Sequence, residues 1–312
     1  MTNNFNNSLQ SIKKKELFFF LIILILLSYG TFLRNQDYTN PIEFFTKTSL
    51  RAPKKARPLI NLAIEWERKG DFKKAEKYYK KALKIEPLNV YANNNLGALL
   101  LKEKRVKEAL NYLGKVIMVN PHYCDGWYNL AVAAEIEKEY ERALNFYKKL
   151  LKLCPDHIHS MVRIGAIYAK MGKEKEAILY FNKSLSIDPG LFEAHLELGK
   201  FLGKNKRWQD AIYHFEEAAK INPHRPEVWY NLGLAFAYKG EFKKAINSFK
   251  MALKIKNDYP EAHANLAIAY LRANNKKKAI YHLKRSLELG GENLAHKHEL
   301  EILLNRLSDK KN

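Results

Sequence analysis

Five asparagines recur along the chain at intervals that are multiples of 34 residues. They are Asn61, Asn95, Asn129, Asn231 and Asn265, with Arg163 and Glu197 at the two intervening places. A side-chain amide offers both donors and acceptors, so a row of amides can bind the backbone of an extended peptide whatever its sequence. The spacing therefore predicts a peptide-binding surface that the two charged residues interrupt. The alternative interpretation is that these asparagines only stabilise the helices that carry them.

The two cysteines, Cys124 and Cys154, stand at the two ends of a segment that reads as one pair of antiparallel helices. The ends of such a pair lie together, so a disulfide could join them in an oxidising compartment. Two separate thiols buried at helix junctions are the alternative. Two cysteines are too few for a disulfide framework or a four-thiolate zinc site.

Neither a catalytic motif nor a metal or cofactor motif is recognisable in the sequence. The closest histidines, His157 with His159 and His296 with His298, are two residues apart. Residues at that spacing point to different sides of a helix, so neither pair suits a metal ion. The chain also lacks a glycine-rich phosphate loop and a serine nucleophile elbow. We therefore expect no enzyme activity, no metal and no cofactor.

Helices of constant length must position the asparagine row. Prolines recur at positions 53, 87, 121, 155, 189 and 223, each 34 residues from the next. If each proline is position 32 of a unit, seven units begin at Ala56, Val90, Cys124, Ile158, Phe192, Pro226 and Pro260. Position 8 is glycine or alanine in every unit. Position 20 is always alanine: Ala75, Ala109, Ala143, Ala177, Ala211, Ala245 and Ala279. Small residues at both places predict two antiparallel helices that approach closely.

This pattern resembles the tetratricopeptide repeat (TPR) family over residues 56–293. The resemblance implies an all-α, right-handed superhelix of helix pairs, in which first helices line a concave groove and second helices form the outer face. Asn257 and Gly291 replace the proline, and Lys276 replaces an aromatic residue, so we expect a looser carboxy-terminal end. The asparagine row is similar to the asparagine ladder in the TPR region of O-GlcNAc transferase, which implies that the groove binds peptides.

Two flanking segments are expected to cap the repeats, because each unit buries its apolar face only against its neighbours. Residues 34–55 read as a linker and a half-repeat, in which Pro41–Ala52 supplies the helix. Residues 294–312 read as an amphipathic helix, Leu294–Ser308, followed by a charged tail.

The lysines of the chain, whose formal net charge is +21, concentrate on the predicted second helices. In the first unit they are Lys73, Lys74, Lys77, Lys80, Lys81 and Lys84, and in the last they are Lys276, Lys277, Lys278 and Lys284, beside Arg285. Such an outer face could bind anionic lipid or an acidic polymer. Nucleic acid is a poor candidate because no reading motif is present. A merely solvated face is the alternative.

An uncharged apolar run, Leu17–Leu33, follows Lys13, Lys14 and Lys15. As a helix it spans about 25 Å, close to the roughly 30 Å of a bilayer's hydrocarbon core. The lysines favour a single-pass anchor with a disordered cytoplasmic tail at residues 1–16 and extracytoplasmic repeats. A cleaved signal peptide is the alternative, and it would release the repeats as a secreted or periplasmic protein.

The junction between this run and the first unit contains the sequence SLRAPKKARPLINLA. It is similar to the last membrane helix and first repeats of membrane O-mannosyltransferases that end in TPRs. Two hypotheses follow. The first is a membrane-anchored scaffold that binds protein segments in its groove and helps to assemble an envelope complex. The second is a non-catalytic accessory subunit of a membrane glycosyltransferase that presents acceptor polypeptides.

Overall fold

The computed structural model describes residues 40–291 and 294–308, which form sixteen α-helices and no strand. The helices are α1 (Pro41–Arg51), α2 (Ala56–Arg68), α3 (Phe72–Ile85), α4 (Val90–Lys102), α5 (Val106–Val119), α6 (Cys124–Ile136), α7 (Tyr140–Leu153), α8 (Ile158–Lys170), α9 (Glu174–Ile187), α10 (Phe192–Lys204), α11 (Trp208–Ile221), α12 (Pro226–Tyr238), α13 (Phe242–Ile255), α14 (Pro260–Arg272), α15 (Lys276–Gly290) and α16 (Lys297–Ser308). Pairs α2–α3 to α14–α15 coincide with the predicted units, which confirms the helical periodicity.

A three-residue turn joins the two helices of every repeat, and its middle residue, at position 15, has a positive φ. Glycine supplies this conformation in three repeats: Gly70, Gly172 and Gly240. Lysine or asparagine adopts it in the other four: Lys104, Lys138, Lys206 and Asn274. The next backbone N–H bonds back to position 11, as Arg105 N does to Leu100 O at 2.9 Å. This closure is the C-terminal capping motif that ends a helix and reverses the chain.

The two helices of a repeat approach most closely at position 8, opposite position 24. A Cβ added to Gly97 would lie 2.6 Å from the Leu113 side chain, and one added to Gly233 would lie 2.6 Å from the Phe249 ring. The alanines at position 20 have no exposed surface. The prediction that small residues permit close antiparallel packing is therefore confirmed.

At five of the six junctions between repeats, a side-chain donor at position 4 bonds the backbone carbonyl of position 32 in the preceding repeat. The fourth repeat has Met161 at position 4, which cannot donate. Trp127 Nε1 donates to Pro121 O at 2.8 Å, and Trp229 Nε1 donates to Pro223 O at 2.8 Å. Asn93 and His195 make the same bond to a proline carbonyl. His263 bonds Asn257 O at 3.1 Å, so this junction keeps its hydrogen bond without the proline.

The chain divides into two compact units, Met1–Phe146 and Tyr147–Asn312. The core of the first unit includes the fully buried Tyr79, Leu100 and Leu113. At the end of the second unit, Leu294 and Leu300 pack on the α14–α15 pair. The predicted terminal helix begins three residues later than expected, at Lys297, although Leu294 is buried with it.

Several sequence-based predictions fall outside the described residues. These are the cytoplasmic tail at residues 1–16, the membrane segment at residues 17–33, the first part of the linker and the charged residues 309–312. Over residues 40–291 and 294–308, no helix combines the length and the apolar character that crossing a bilayer requires.

Candidate functional site

In the compact unit Met1–Phe146, asparagines on the first helices of two successive repeats are joined by hydrogen bonds. Asn129 of α6 donates its Nδ2 to the Oδ1 of Asn94 on α4 at 2.8 Å, and the Asn94 amide lies 3.4 Å from the Oδ1 of Asn95. Asn94 is buried, whereas Asn61, Asn95 and Asn129 are half-buried. Two members of the predicted row, Asn95 and Asn129, are therefore linked to Asn94 in a small amide network. Asn94 was not predicted because it stands at position 5, outside the row of position 6.

In the compact unit Tyr147–Asn312, the asparagines of position 6 donate their amide nitrogens to backbone carbonyls of their own helices. Asn231 Nδ2 donates to Glu227 O at 2.7 Å, and Asn265 Nδ2 donates to Glu261 O at 3.0 Å. Asn265 also contacts the Tyr230 hydroxyl at 3.1 Å. Within the described residues neither side-chain oxygen has a donor. These asparagines consequently present acceptors, which suit the N–H groups of a peptide backbone.

At position 6 of the fourth and fifth repeats the side chains are charged and are not amides. Glu197 on α10 pairs with Lys200 of the same helix at 2.8 Å. Arg163 on α8 is half-buried. The ion pair neutralises the carboxylate, so Glu197 does not make this region of the first-helix face acidic.

A cavity of about 420 Å³ lies between α10 and α12, beside Asn231. Its polar lining is basic, and its apolar lining includes Phe215, Leu234 and Ala235. No acidic side chain lines it. At one side the rings of Trp208 and Tyr238 stack at 4.5 Å. Its volume falls within the roughly 300–1,000 Å³ of typical ligand sites.

Three lysines line this cavity: Lys200, Lys204 and Lys206. Lys200 is paired with Glu197, but Lys204 and Lys206 form no ion pair in the part of the chain that the structure describes. Lys206 stands at the positive-φ position of its turn, with φ of 61°. Two uncompensated cations beside an apolar floor create a positive potential that attracts carboxylates.

Family models of the tetratricopeptide repeat match residues 68–134, residues 123–189, and residues 203–240 with 234–274. The chain is a tetratricopeptide repeat protein. Comparison with curated proteins finds no match.

Solved structures of other TPR proteins resemble this TPR chain at low sequence identity. A chain of the APC/C hetero-tetramer Cut9–Hcn1 is 21% identical with a TM-score of 0.64, over 85% of this chain and 52% of that chain. Yeast Tom70 is 17% identical with a TM-score of 0.61, over 86% and 58%. A TPR protein from Parabacteroides merdae is 19% identical with a TM-score of 0.58, over 81% and 99%. At these identities the likeness shows the fold alone.

Two histidine pairs in this TPR protein were missed by sequence reasoning. The Nδ1 atoms of His195 and His214 lie 3.0 Å apart, and those of His263 and His282 lie 2.9 Å apart. Both pairs join positions 4 and 23 of one repeat, a spacing of 19 residues that the repeat alignment could have shown. The described residues contain no group of three metal-binding side chains.

The tautomers of these histidines follow from their hydrogen bonds. His195 Nε2 contacts Pro189 O, a pure acceptor, so it carries the proton and leaves Nδ1 as an acceptor. His214 must then donate its Nδ1–H.

The pKa of His214 is lowered to about 4, mainly by burial and secondly by the charge of His195. Burial, with His263 as the next cause, likewise lowers the pKa of His282 to about 4.

Two further predictions concern the cysteines and the outer face of the TPRs. The pairing of Cys124 with Cys154 stays a prediction, which thiol counts with and without reductant would test. All six predicted lysines of α3 are exposed. Lys74 pairs with Asp71 at 2.8 Å and Lys80 with Glu76 at 2.6 Å, so the face is less basic than its lysine count indicates.

Proposed function

We propose that this protein is a scaffold that binds acidic segments of partner polypeptides on the face of its first helices, without catalysis of its own. The cavity between α10 and α12 carries the proposal. There, Lys204 and Lys206 lack an ion-pair partner within the described residues, and Asn231 presents an unpaired amide oxygen. Cations with no acidic neighbour in the lining favour a ligand that brings carboxylates.

Each part of the cavity has a role toward an extended peptide. The two lysines donate hydrogen bonds to side-chain carboxylates, and charge-assisted bonds of this kind are about twice as strong as neutral ones. The Asn231 oxygen accepts a backbone N–H, which gives affinity independent of sequence. Leu234 and Ala235 pack against an apolar side chain of the peptide.

The test is the binding of a fluorescein-labelled peptide Glu-Glu-Leu-Glu-Glu at about 150 mM salt, followed by anisotropy. The double variant Lys204→Gln with Lys206→Gln is expected to bind at least tenfold more weakly. The matched control, Lys77→Gln with Lys81→Gln on α3, removes the same charge elsewhere and is expected to change affinity less than twofold. Equal losses in both variants would show that net charge, and not the cavity, attracts the peptide.

Membrane anchoring through Leu17–Leu33 is part of the same proposal, with the repeats outside the cytoplasm and a role in assembling an envelope complex. The uncharged run and the three lysines before it support this orientation. The basic outer face would then lie near anionic headgroups or an acidic polymer. We expect full-length protein in the membrane fraction, with repeats that external protease digests in intact cells. A soluble product that lacks about thirty residues would indicate signal-peptide cleavage instead.

A second candidate function is that of an accessory subunit that presents acceptor polypeptides to a membrane glycosyltransferase. The sequence at the junction of the apolar run and the first repeat favours it. This function predicts that the protein copurifies with a multi-span glycosyltransferase and that its deletion lowers acceptor glycosylation. Normal glycosylation in the deletion strain would eliminate this candidate and leave the scaffold.

A further inference from the structure

Position 23, in the second helix of each repeat, carries a ring in six of the seven repeats. The six residues are Tyr78, Tyr112, Phe146, Tyr180, His214 and His282. In the third, fourth, fifth and seventh repeats this ring contacts a ring at position 4 or position 11 of the first helix. The ring centroids of Phe146 and Trp127 lie 5.9 Å apart, and those of Tyr180 and Tyr168 lie 5.8 Å apart. A ring at position 23 therefore fills the space between positions 4 and 11.

The sixth repeat has Ser248 at this position. Its first helix still carries Trp229 at position 4 and Phe236 at position 11. Within the described residues no aromatic ring contacts either of them. Ser248 is buried and donates its hydroxyl to Lys244 O at 3.0 Å, so it leaves the space between the two rings unfilled. A cavity of about 620 Å³ opens there, lined by both rings and by Ser248.

The remaining lining of this cavity is apolar except for Asn247 and three charged side chains. Ala219, Pro223 and Leu232 complete the apolar part. Glu216, Lys220 and Lys244 stand at the mouth. The helix α13 carries Lys243, Lys244, Lys250 and Lys254 and no acidic side chain. Both lining lysines are paired, Lys220 with Glu217 at 2.6 Å and Lys244 with Glu241 at 2.7 Å. The other lysines of α13 form no ion pair within the described residues, so the helix beside the cavity carries an excess of positive charge.

We propose that this cavity binds an aromatic side chain of a partner polypeptide whose neighbouring residues are acidic. The partner's ring would take the place that the chain's own rings take in the third, fourth, fifth and seventh repeats. There it packs against Trp229 and Phe236, with the geometry that aromatic pairs favour. The acidic residues beside it meet the lysines of α13. The cavity shares no lining residue with the cavity at Asn231, so this site is independent of the proposed first-helix site.

The test compares two fluorescein-labelled peptides, Glu-Glu-Phe-Glu-Glu and Glu-Glu-Ala-Glu-Glu, on three proteins. Ser248→Tyr introduces the ring of the sibling repeats and fills the cavity, whereas Ser248→Ala keeps the cavity and loses only the hydroxyl. Wild type and Ser248→Ala are expected to bind the phenylalanine peptide at least tenfold more tightly than the alanine peptide. In Ser248→Tyr this preference is expected to disappear. Circular dichroism checks that each variant is folded.

Three outcomes would overturn the proposal. The first is equal binding of the two peptides by the wild type, which decides the matter even if Ser248→Tyr fails to fold. The second is an unchanged phenylalanine preference in a folded Ser248→Tyr variant. The third is concentration-dependent self-association that only Ser248→Tyr abolishes, because the occupant is then a second copy of the chain. The double variant Lys204→Gln with Lys206→Gln is expected to keep the preference for the phenylalanine peptide. That result would show that this site is separate from the first-helix site.

Discussion

A position-6 asparagine bonds the preceding repeat only when that repeat supplies a polar partner at position 5. Asn129 bonds Asn94, and Asn265 bonds the Tyr230 hydroxyl, both 35 residues earlier. Before Asn231 the corresponding residue is Leu196, and no such bond forms. The sequence predicted the row because its period is visible. The partners were not predicted because they depend on the offset between neighbouring first helices, which packing determines.

Asn129→Ala is expected to destabilise the protein by about 1–3 kcal/mol, because it leaves the buried Asn94 oxygen without its donor. Asn231→Ala is the matched control. Its amide bonds only the carbonyl of Glu227 in its own helix, so its loss is expected to cost about 0.5 kcal/mol or less. Urea midpoints measure both variants. Equal midpoints would contradict the interhelical role of Asn129.

At the scale of single elements, the repeat turns show how much the residue type at one position can predict. Glycine at Gly70, Gly172 and Gly240 marks three of the turns in the sequence. Lysine occupies the same position in three other turns and does not indicate a turn by itself, whereas the asparagine of the last turn, Asn274, is common in turns. The 34-residue period nevertheless predicted all seven helix pairs, because it draws on every position of the repeat. Lysine in a left-handed conformation is tolerated because the capping hydrogen bonds on both sides fix the turn.

Lys104→Gly is expected to stabilise the protein by about 1 kcal/mol, since an L-residue in the left-handed region costs about 1–2 kcal/mol that glycine avoids. The Lys104 turn has φ of 61°. Lys77→Gly, on the exposed face of α3, removes the same side chain from a helix interior. That control is expected to lose about 1 kcal/mol. Thermal and urea unfolding measure both changes, and a loss of stability in Lys104→Gly would refute the argument.

At the scale of the whole molecule, the sequence predicted the all-α repeat architecture but neither cavity. The repeat positions that contact each other were unknown until the helices were placed. The ring missing at Ser248 is visible in the sequence only when position 23 is known to pack between positions 4 and 11. The lysines of the other cavity lie on α10 and in the turn after it, whereas Asn231 lies on α12. Their proximity could not be predicted from the sequence, because it depends on how these helices pack.

The two histidine pairs predict that stability falls in mild acid. Histidine in an unfolded chain has a pKa near 6.5, and the folded pKa of His214 and His282 is lowered to about 4. The unfolded state therefore binds more protons below about pH 6.5. Stability is lost between about pH 6.5 and 4, by roughly 1–2 kcal/mol per pair after allowance for partial exposure.

Neighbouring charges act on the two pairs in opposite directions. Asp210 and Glu217 favour protonation of His214, whereas Lys250 and Lys278 oppose protonation of His282. Urea midpoints at pH 7.5 and 5.0 are expected to differ less in a His214→Phe, His282→Phe variant than in the wild type. His224→Asn, on an exposed turn, is the control. An unchanged pH slope in the double variant would show that the loss arises elsewhere.

The hydrogen bond between position 4 and the carbonyl of position 32 connects five of the seven repeats to the repeat before them. The acceptor belongs to the backbone, so proline and asparagine serve equally, as Pro223 and Asn257 show. The donor can be tryptophan, histidine or asparagine. A gene that duplicated the segment 226–259 in frame would therefore produce a longer protein with an intact connection at both ends of the new repeat. Recombination can therefore change the length of the protein in steps of 34 residues, because each new junction re-forms the same hydrogen bond.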